Sequence, residues 1–191
     1  MTVFATSMES YFILWPNDWC KSLAQANDYG PLQVIYGGPH ISVPSLGKIK
    51  TGDIIYPVSV KNGQLFILGR MQVERITDAT IYLAEQDINR IDNNLWDTTA
   101  PKLIKERPEL GHKIPRSCIN AAATGSGTRF RFDFQVPDNT IDSLVFGPKA
   151  GQEKGLSRDK AGRLTHVALQ GHFRRLSTDS AAIVSDLMQN F

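Results

Sequence analysis

The fold is decided by residues 54–73, which run Ile54-Ile55-Tyr56-Pro57-Val58-Ser59-Val60-Lys61-Asn62-Gly63-Gln64-Leu65-Phe66-Ile67-Leu68-Gly69-Arg70-Met71-Gln72-Val73. Apolar residues alternate along both halves of this stretch, and the Asn-Gly pair between them favours a tight hairpin turn. The stretch therefore predicts a β-hairpin with strands over 54–60 and 65–73, each with one apolar face. Gly69 falls inside the second strand, where glycine usually marks a bulge, a bend or a close backbone approach.

Short apolar or alternating runs elsewhere predict further strands around this hairpin. A helix capped by Asn17 or Asp18 follows the first strand, and a last helix begins after a cap at Ser177. We expect an α+β fold, a small mixed β-barrel with a few flanking helices, in a single domain over 1–191 with an irregular insertion at about 85–128. The glycine-rich stretch 124–128 predicts a flexible connector. The additional strands are expected at Tyr11–Trp15, Leu32–Tyr36, Thr80–Ala84, Phe130–Val136 and Leu164–Arg175.

The composition is that of an ordinary globular protein, with 41% hydrophobic and 21% charged residues in a chain of 191. The start of the chain lacks the pattern of a signal peptide, and no apolar run is long enough to cross a bilayer. Cys20 and Cys118 suit free thiols, so we expect a cytoplasmic protein. Residues 1–100 hold seven Lys/Arg and ten Asp/Glu, whereas residues 101–191 hold fourteen and nine. This asymmetry fits a polyanion partner at one face, and equally a mixed solvated surface.

Three separated pieces of the chain resemble EVE domains, which belong to the PUA-like superfamily with YTH and ASCH domains. The first resembles their opening strand and tryptophan turn, the second their pocket loop and central hairpin, and the third their last strand. The second piece departs from the family, because EVE domains usually carry a longer polar motif where this chain has Gly38-Pro39-His40-Ile41-Ser42. The three pieces are Tyr11–Trp19, the Gly37-Gly38 loop with Lys50–Tyr56 and Ile67–Val73, and Leu169–Ser177.

The resemblance implies a PUA-like pseudo-barrel whose pocket receives a base, often a modified one, extracted from nucleic acid. An aromatic wall stacks such a base, and a few polar groups recognise its edge. Each residue also has a purely structural alternative: Trp15 suits the core, the Gly-Gly-Pro-His loop suits a tight turn, and Arg129 and Arg131 suit a solvated strand face. The residues that the resemblance implies are Trp15, Trp19, Tyr36 and Trp96 as walls, Gly37, Gly38, His40 and Ser42 as edge readers, and Arg129, Arg131, Arg174 and Arg175 as phosphate ligands.

Catalytic and metal-binding patterns are absent from the sequence. The four histidines are not spaced as the ligands of one metal ion would be, and there is no Cys-x-x-Cys pair. The ASCH domains include enzymes that act on modified nucleosides, and such a role would need a pocket lysine with a carboxylate. Lys48 or Lys50 with Asp53 is the only nearby set of this kind, and such turns are usually just solvated. We therefore predict no catalytic residue, no metal and no cofactor.

Three hypotheses for function follow. The first is a non-enzymatic module that binds DNA or RNA through an aromatic pocket for a modified or flipped base, in a bacterial or phage defence or restriction setting. The second is a protein-interaction module, such as an immunity protein that neutralises a toxin, with residues 85–128 as its interface. The third is a small nucleoside hydrolase of the ASCH type. None of them involves a membrane.

Overall fold

The structure, a computed structural model, describes residues 8–37, 46–87, 121–147, 151–169 and 174–191. Its architecture is α+β, with a curled mixed sheet of seven strands that forms a half-barrel and few helices beside it. None of the helices in these ranges is long and apolar enough to cross a membrane. The strands are β1 (Ser10–Leu14), β2 (Val34–Gly37), β3 (Ile54–Lys61), β4 (Gln64–Ile67), β5 (Met71–Asp78), β6 (Ala121–Gly127) and β7 (Arg174–Arg175). The helices are α1 (Asn17–Gln25), α2 (Ala79–Glu85), α3 (Asp138–Ser143) and α4 (Thr178–Leu187), and 3₁₀ turns cover Leu46–Lys48, His166–Leu169 and Met188–Asn190.

The sheet has the strand order β2-β6-β5-β3-β1-β7, and β4 pairs with β3 beside this path. β1 runs parallel to β3, whereas every other pair is antiparallel. β3 therefore lies in the middle of the sheet and is buried on both faces, since all its residues except Lys61 are buried. The stretch that decides the fold is thus the central strand and its two antiparallel neighbours.

The predicted hairpin turn is confirmed, but its second strand is divided into two. Asn62 and Gly63 have φ angles of 53° and 80°, as a tight turn with two left-handed residues requires, and Val60 pairs with Leu65 across it. Residues 68–70 then leave the ladder, since the N–H groups of Thr128 and Arg131 donate to carbonyls there at 2.8 and 3.0 Å. The close approach expected at Gly69 is confirmed, because a Cβ atom at that position would lie 3.1 Å from Thr128 Oγ1.

Two hydrophobic cores hold the elements together. The α1-side core contains Trp15, Leu23, Ile55, Met71 and Phe130 among its buried side chains. The α4-side core contains Phe12, Tyr56, Ile67, Leu144 and Val184 among others. Because the strand is interrupted at residues 68–70, Ile67 enters the α4-side core whereas Met71 enters the α1-side core. The prediction that the alternating apolar residues of 65–73 share one face is therefore wrong.

The predicted strand at Thr80–Ala84 is wrong, because these residues belong to helix α2. Asp78 caps the helix, and its Oδ1 accepts hydrogen bonds from the N–H groups of Thr80 and Ile81 at 2.8 and 3.2 Å. Ala79, Tyr82 and Leu83 are the buried residues of α2, and their spacing is helical. A carboxylate cap and a helical burial pattern thus outweigh the β propensity of Thr80 and Ile81.

The predicted connector at 124–128 is also wrong, because β6 extends to Gly127. Gly125 crosses β5 so closely that a Cβ atom there would lie 1.8 Å from the carbonyl oxygen of Gln72. A Cβ atom at Gly127 would lie 2.3 Å from the carbonyl oxygen of Leu32. These glycines therefore permit tight contact between neighbouring backbones, whereas glycine alone in a sequence suggests a loop.

The two strands predicted near the C-terminus are mostly wrong. Residues 130–136 bend at Phe132 and keep the expected alternation of burial, but their one strand bridge joins Gln135 to Phe66. Within 164–175, residues 166–169 form a 3₁₀ turn instead of a strand, and Val167 is 61% exposed. Among the described residues of this stretch only Arg174–Arg175 form a strand, and residues 170–173 lie outside the described ranges.

The first helix begins at Asn17 and the last after Ser177. Ser177 is confirmed as the cap of α4, where its Oγ accepts a hydrogen bond from Ser180 N at 3.2 Å. The cap predicted for α1 is wrong, because Pro16 occupies that position and makes no side-chain bond. Instead the Asn17 amide donates to Val60 O at 2.8 Å and accepts from Ser59 Oγ at 2.8 Å, which ties α1 to β3.

Candidate functional site

Two of the predicted pocket walls, Trp15 and Tyr36, are completely buried. Trp15 lies in the α1-side core with its ring edge against Phe130, at 5.3 Å between centroids. Ile35 enters the same core, so Tyr36, the next residue of β2, points to the opposite face, where its ring contacts Tyr82 of α2 at 6.2 Å. The two rings therefore lie on opposite faces of the sheet and offer no open face to a base in this conformation.

The Tyr36 hydroxyl is buried and has no hydrogen-bond partner among the residues that the structure describes. Burial raises the pKa of Tyr36 far above its ordinary value, and the nearby Tyr82 adds to this effect. The group is therefore neutral at any physiological pH. An unpartnered buried hydroxyl costs stability, and this cost carries a prediction developed below.

The remaining predicted pocket residues divide into those that the structure describes and those outside its described ranges. Trp19 lies on α1 and packs half-buried against the α1-side core, and its buried Nε1 has no hydrogen-bond partner within the described ranges. Gly37 ends β2 and pairs with Ala121 of β6. Outside the described ranges lie Gly38, His40, Ser42 and Trp96.

The predicted phosphate ligands Arg174 and Arg175 form β7, next to β1. Arg175 makes a two-pronged ion pair with Glu9, with its Nε and Nη2 2.7 and 2.6 Å from the two carboxylate oxygens. Arg174 is half-buried, its Nε has no hydrogen-bond partner among the described residues, and burial lowers its pKa. Arg175 is thus already occupied by a carboxylate, and Arg174 is withdrawn from solvent.

Arg129 and Arg131 are exposed and lie on the segment that is hydrogen-bonded to residues 68–70. Arg129 makes no ion pair with any residue in the described ranges. Arg131 holds Asp133 at 3.1 Å, and its guanidinium lies over the rings of Phe134 and Phe191 at 5.3 and 5.7 Å. The hydrogen bond from Arg131 lowers the pKa of Asp133.

The sequence did not single out Tyr29 or Phe132 as site residues, although the two rings meet at the surface. Their centroids are 5.9 Å apart, and Tyr29 is 40% exposed whereas Phe132 is half-buried. Phe132 in turn contacts Phe130, at 6.3 Å, and a hydrogen bond from Phe130 N to Tyr29 O, at 2.7 Å, joins the two segments. The alternation of Phe with Arg in 129–134 could have pointed to Phe132, but no sequence signal connects it with Tyr29, which is remote in the chain.

We call Tyr29, Arg129, Arg131 and Phe132 the aromatic–arginine surface. The two arginine side chains are exposed, and Phe132, which alternates with them along the segment, is half-buried against Tyr29. The rings offer a flat apolar face for stacking, and the guanidinium groups offer charged donors that suit phosphate oxygens.

The nearest catalytic set in the sequence, Lys48 or Lys50 with Asp53, does not form a reactive cluster. Asp53 is 2% exposed, and its two oxygens accept backbone N–H groups from Glu9 and Lys50 at 3.0 and 2.8 Å. Its carboxylate therefore fixes the turn before β3, while the Lys48 and Lys50 side chains extend into solvent. Within the described ranges, no three His, Cys, Asp or Glu side chains come together as a metal site requires.

Comparison of the chain with protein-family models, with curated proteins and with solved structures found no match.

Proposed function

We propose that this chain is a PUA-like module that binds nucleic acid without acting on it as an enzyme, and that the aromatic–arginine surface is its contact site. The curled half-barrel is compatible with the pseudo-barrel of that superfamily. The observation that carries the proposal is the contact of the exposed Tyr29 ring with Phe132, together with the exposure of Arg129 and Arg131, which lie near Phe132 in the chain.

Each part of this surface has a distinct physical role. The arginines neutralise phosphates, which releases counterions and makes the affinity fall with salt. The rings stack on bases, which contributes about 1–3 kcal/mol per base and depends little on sequence. The two terms can be separated by experiment, because only the first depends strongly on salt.

The pocket for a flipped or modified base takes a narrower form in this proposal. Trp15 and Tyr36 are left out of it because they are buried. The Trp19 ring is only half-buried, and its Nε1 donor has no hydrogen-bond partner in the part of the chain that the structure describes. Such a pocket would therefore rest on Trp19 together with Gly38, His40, Ser42 and Trp96, and it stays a prediction.

A protein-interaction module is the second candidate, and exposed apolar side chains favour it. Ile81 of α2 is 54% exposed and Ile76 of β5 is 36% exposed, both near the Arg75–Glu85 ion pair. Exposed isoleucines of this kind suit a protein partner. This candidate predicts no salt-dependent affinity for nucleic acid.

Fluorescence anisotropy with short labelled oligonucleotides tests the proposal. We expect affinity to fall as salt rises from about 50 to 200 mM, and the double variant Arg129→Ala/Arg131→Ala to reduce the slope of log K against log salt by about 1.4, at about 0.7 per phosphate of a single strand. The control is Arg75→Ala/Arg163→Ala, which removes two exposed arginines that pair with Glu85 and Asp159. Equal losses in both double variants, or no salt-dependent binding, would contradict the proposal.

A further inference from the structure

We propose that Arg70 is a further phosphate ligand, and that the contact with nucleic acid continues past Arg131 onto the neighbouring face of the sheet. This inference rests on the proposed function and adds to it a residue that neither the sequence pattern nor the resemblance singled out. The observations that carry it are the direction of the Arg70 side chain, the closeness of its backbone to Arg131, and the lack of an ion-pair partner among the described residues.

The Arg70 side chain points to the face of the sheet that packs against the α4-side core. The next residue, Met71, pairs with Ile55 and enters the α1-side core, so Arg70 points to the opposite face. Tyr56 of the α4-side core lies on that face. Burial raises the pKa of the Tyr56 hydroxyl, and the nearby Arg70 guanidinium opposes that rise. Arg70 is half-buried and therefore lies at the margin of this core, beside Tyr56.

Arg131 lies at the margin of the same core. Its guanidinium lies over the rings of Phe134 and Phe191, at 5.3 and 5.7 Å from their centroids. The Phe134 side chain packs against the α4-side core. The guanidinium groups of Arg70 and Arg131 therefore border one core, although the two residues are far apart in the chain.

Backbone hydrogen bonds hold the two arginines on neighbouring segments. Arg131 N donates to Leu68 O at 3.0 Å, and Thr128 N donates to Arg70 O at 2.8 Å. Hydrogen-bonded neighbours have Cα atoms about 5.5 Å apart, and the two steps from Leu68 to Arg70 add at most about 7 Å. The Cα atoms of Arg70 and Arg131 are therefore no more than about 13 Å apart. Two long side chains at this separation can contact nearby phosphates of one strand.

No carboxylate competes for Arg70. Its side chain makes no ion pair with any residue in the described ranges, whereas Arg131 gives its Nε to Asp133 at 3.1 Å. A partly desolvated cation without a counter-ion costs stability. A phosphate oxygen supplies the missing negative charge and accepts the guanidinium N–H groups. Arg70 is therefore suited to a phosphate that approaches its solvent-accessible part.

The test measures the affinity for a labelled single-stranded oligonucleotide of mixed sequence against salt, by anisotropy. Arg70→Met removes the charge and keeps an apolar stem beside Tyr56. We expect it to weaken binding by about 10- to 100-fold and to reduce the slope of log K against log salt by about 0.7. Arg70→Lys keeps the charge and should keep the slope. The control Arg75→Met, on the same stretch of chain and paired with Glu85, should keep both affinity and slope.

Each failure has its own signature. A wild-type affinity and slope in Arg70→Met would overturn the inference, and so would an equal loss in Arg75→Met, which would indicate an effect of net charge alone. Both results leave the proposed function standing if affinity still depends on Arg129 and Arg131. Absence of salt-dependent binding by the wild type would instead remove the proposed function, and the inference with it. Thermal melting confirms that each variant is folded, and Arg70→Gln replaces Arg70→Met if the latter is not.

Discussion

Replacing Tyr36 by Phe should make the protein more stable. The side chain is 0% exposed, and its hydroxyl finds no hydrogen-bond partner in the described part of the chain, although the same group is hydrated in the unfolded chain. Burying an unpartnered polar group costs about 1–3 kcal/mol, and Phe avoids that cost while keeping the ring contact with Tyr82. The void left by the oxygen costs a few tenths of a kcal/mol at about 24 cal/mol per Å³. The free energy of unfolding should therefore rise by about 1–2 kcal/mol.

Urea denaturation and thermal melting at neutral pH measure this change. For a chain of this length, about 1–2 kcal/mol corresponds to a Tm higher by about 2–8 °C. Tyr29→Phe is the control, because its exposed hydroxyl is hydrated in both states, and we expect its stability to change by less than about 0.5 kcal/mol. Affinity for nucleic acid should be unaffected by Tyr36→Phe. If Tyr36→Phe instead lowers stability, the hydroxyl has a native partner and our account of this side of the sheet is refuted.

Three other predictions concern the sheet, the tyrosines and the site. Gly125→Ala should lower the free energy of unfolding by at least about 1–3 kcal/mol, because its Cβ would lie 1.8 Å from Gln72 O, whereas Gly155→Ala, whose nearest neighbour would be 3.6 Å away, should cost little in urea denaturation. Burial, with Asp53 and Glu9, raises the pKa of Tyr11 to about 12, so the unfolded chain loses this proton first. Tyr11 alone should therefore lower stability by up to about 1.4 kcal/mol per pH unit between about pH 10 and 12, in addition to the falls contributed by the raised pKa values of Tyr36 and Tyr56. Tyr11→Phe should reduce that slope, and a flat profile in wild type would contradict it. Asp133→Asn should tighten nucleic-acid binding in anisotropy titrations, because it frees Arg131 of its competing carboxylate, and weaker binding would argue against Arg131 as a phosphate ligand.

Local chemistry made parts of the fold predictable. Asn62 and Gly63 have the left-handed φ angles that the hairpin turn requires, and Ser177 caps the last helix by accepting a hydrogen bond from Ser180 N. These signals lie within a few residues of one another, so the local sequence is enough to predict them. The alternating burial in 130–136 was predictable for the same reason.

Distant contacts decided the features that sequence reasoning missed. Gly125 and Gly127 suggest a loop until β5 and Leu32 O are known to approach them. Residues 68–70 divide a continuous apolar alternation because the chain after β6 takes their hydrogen bonds. The contact of Tyr29 with Phe132 joins residues far apart in the chain, so no local pattern predicts it, although the exposure of Arg129 and Arg131 was predictable from the strand-like alternation.

Photo-crosslinking is the most direct test of the central claim that the aromatic–arginine surface holds nucleic acid. A single-stranded oligonucleotide that carries a photoreactive base is bound, irradiated and digested, and the crosslinked peptides are identified by mass spectrometry. We predict crosslinks at Tyr29 and within residues 129–134, and their loss in Tyr29→Ser. Crosslinks confined to Trp19 and residues 38–45, or to the peptide that contains Ile76 and Ile81, would contradict the claim.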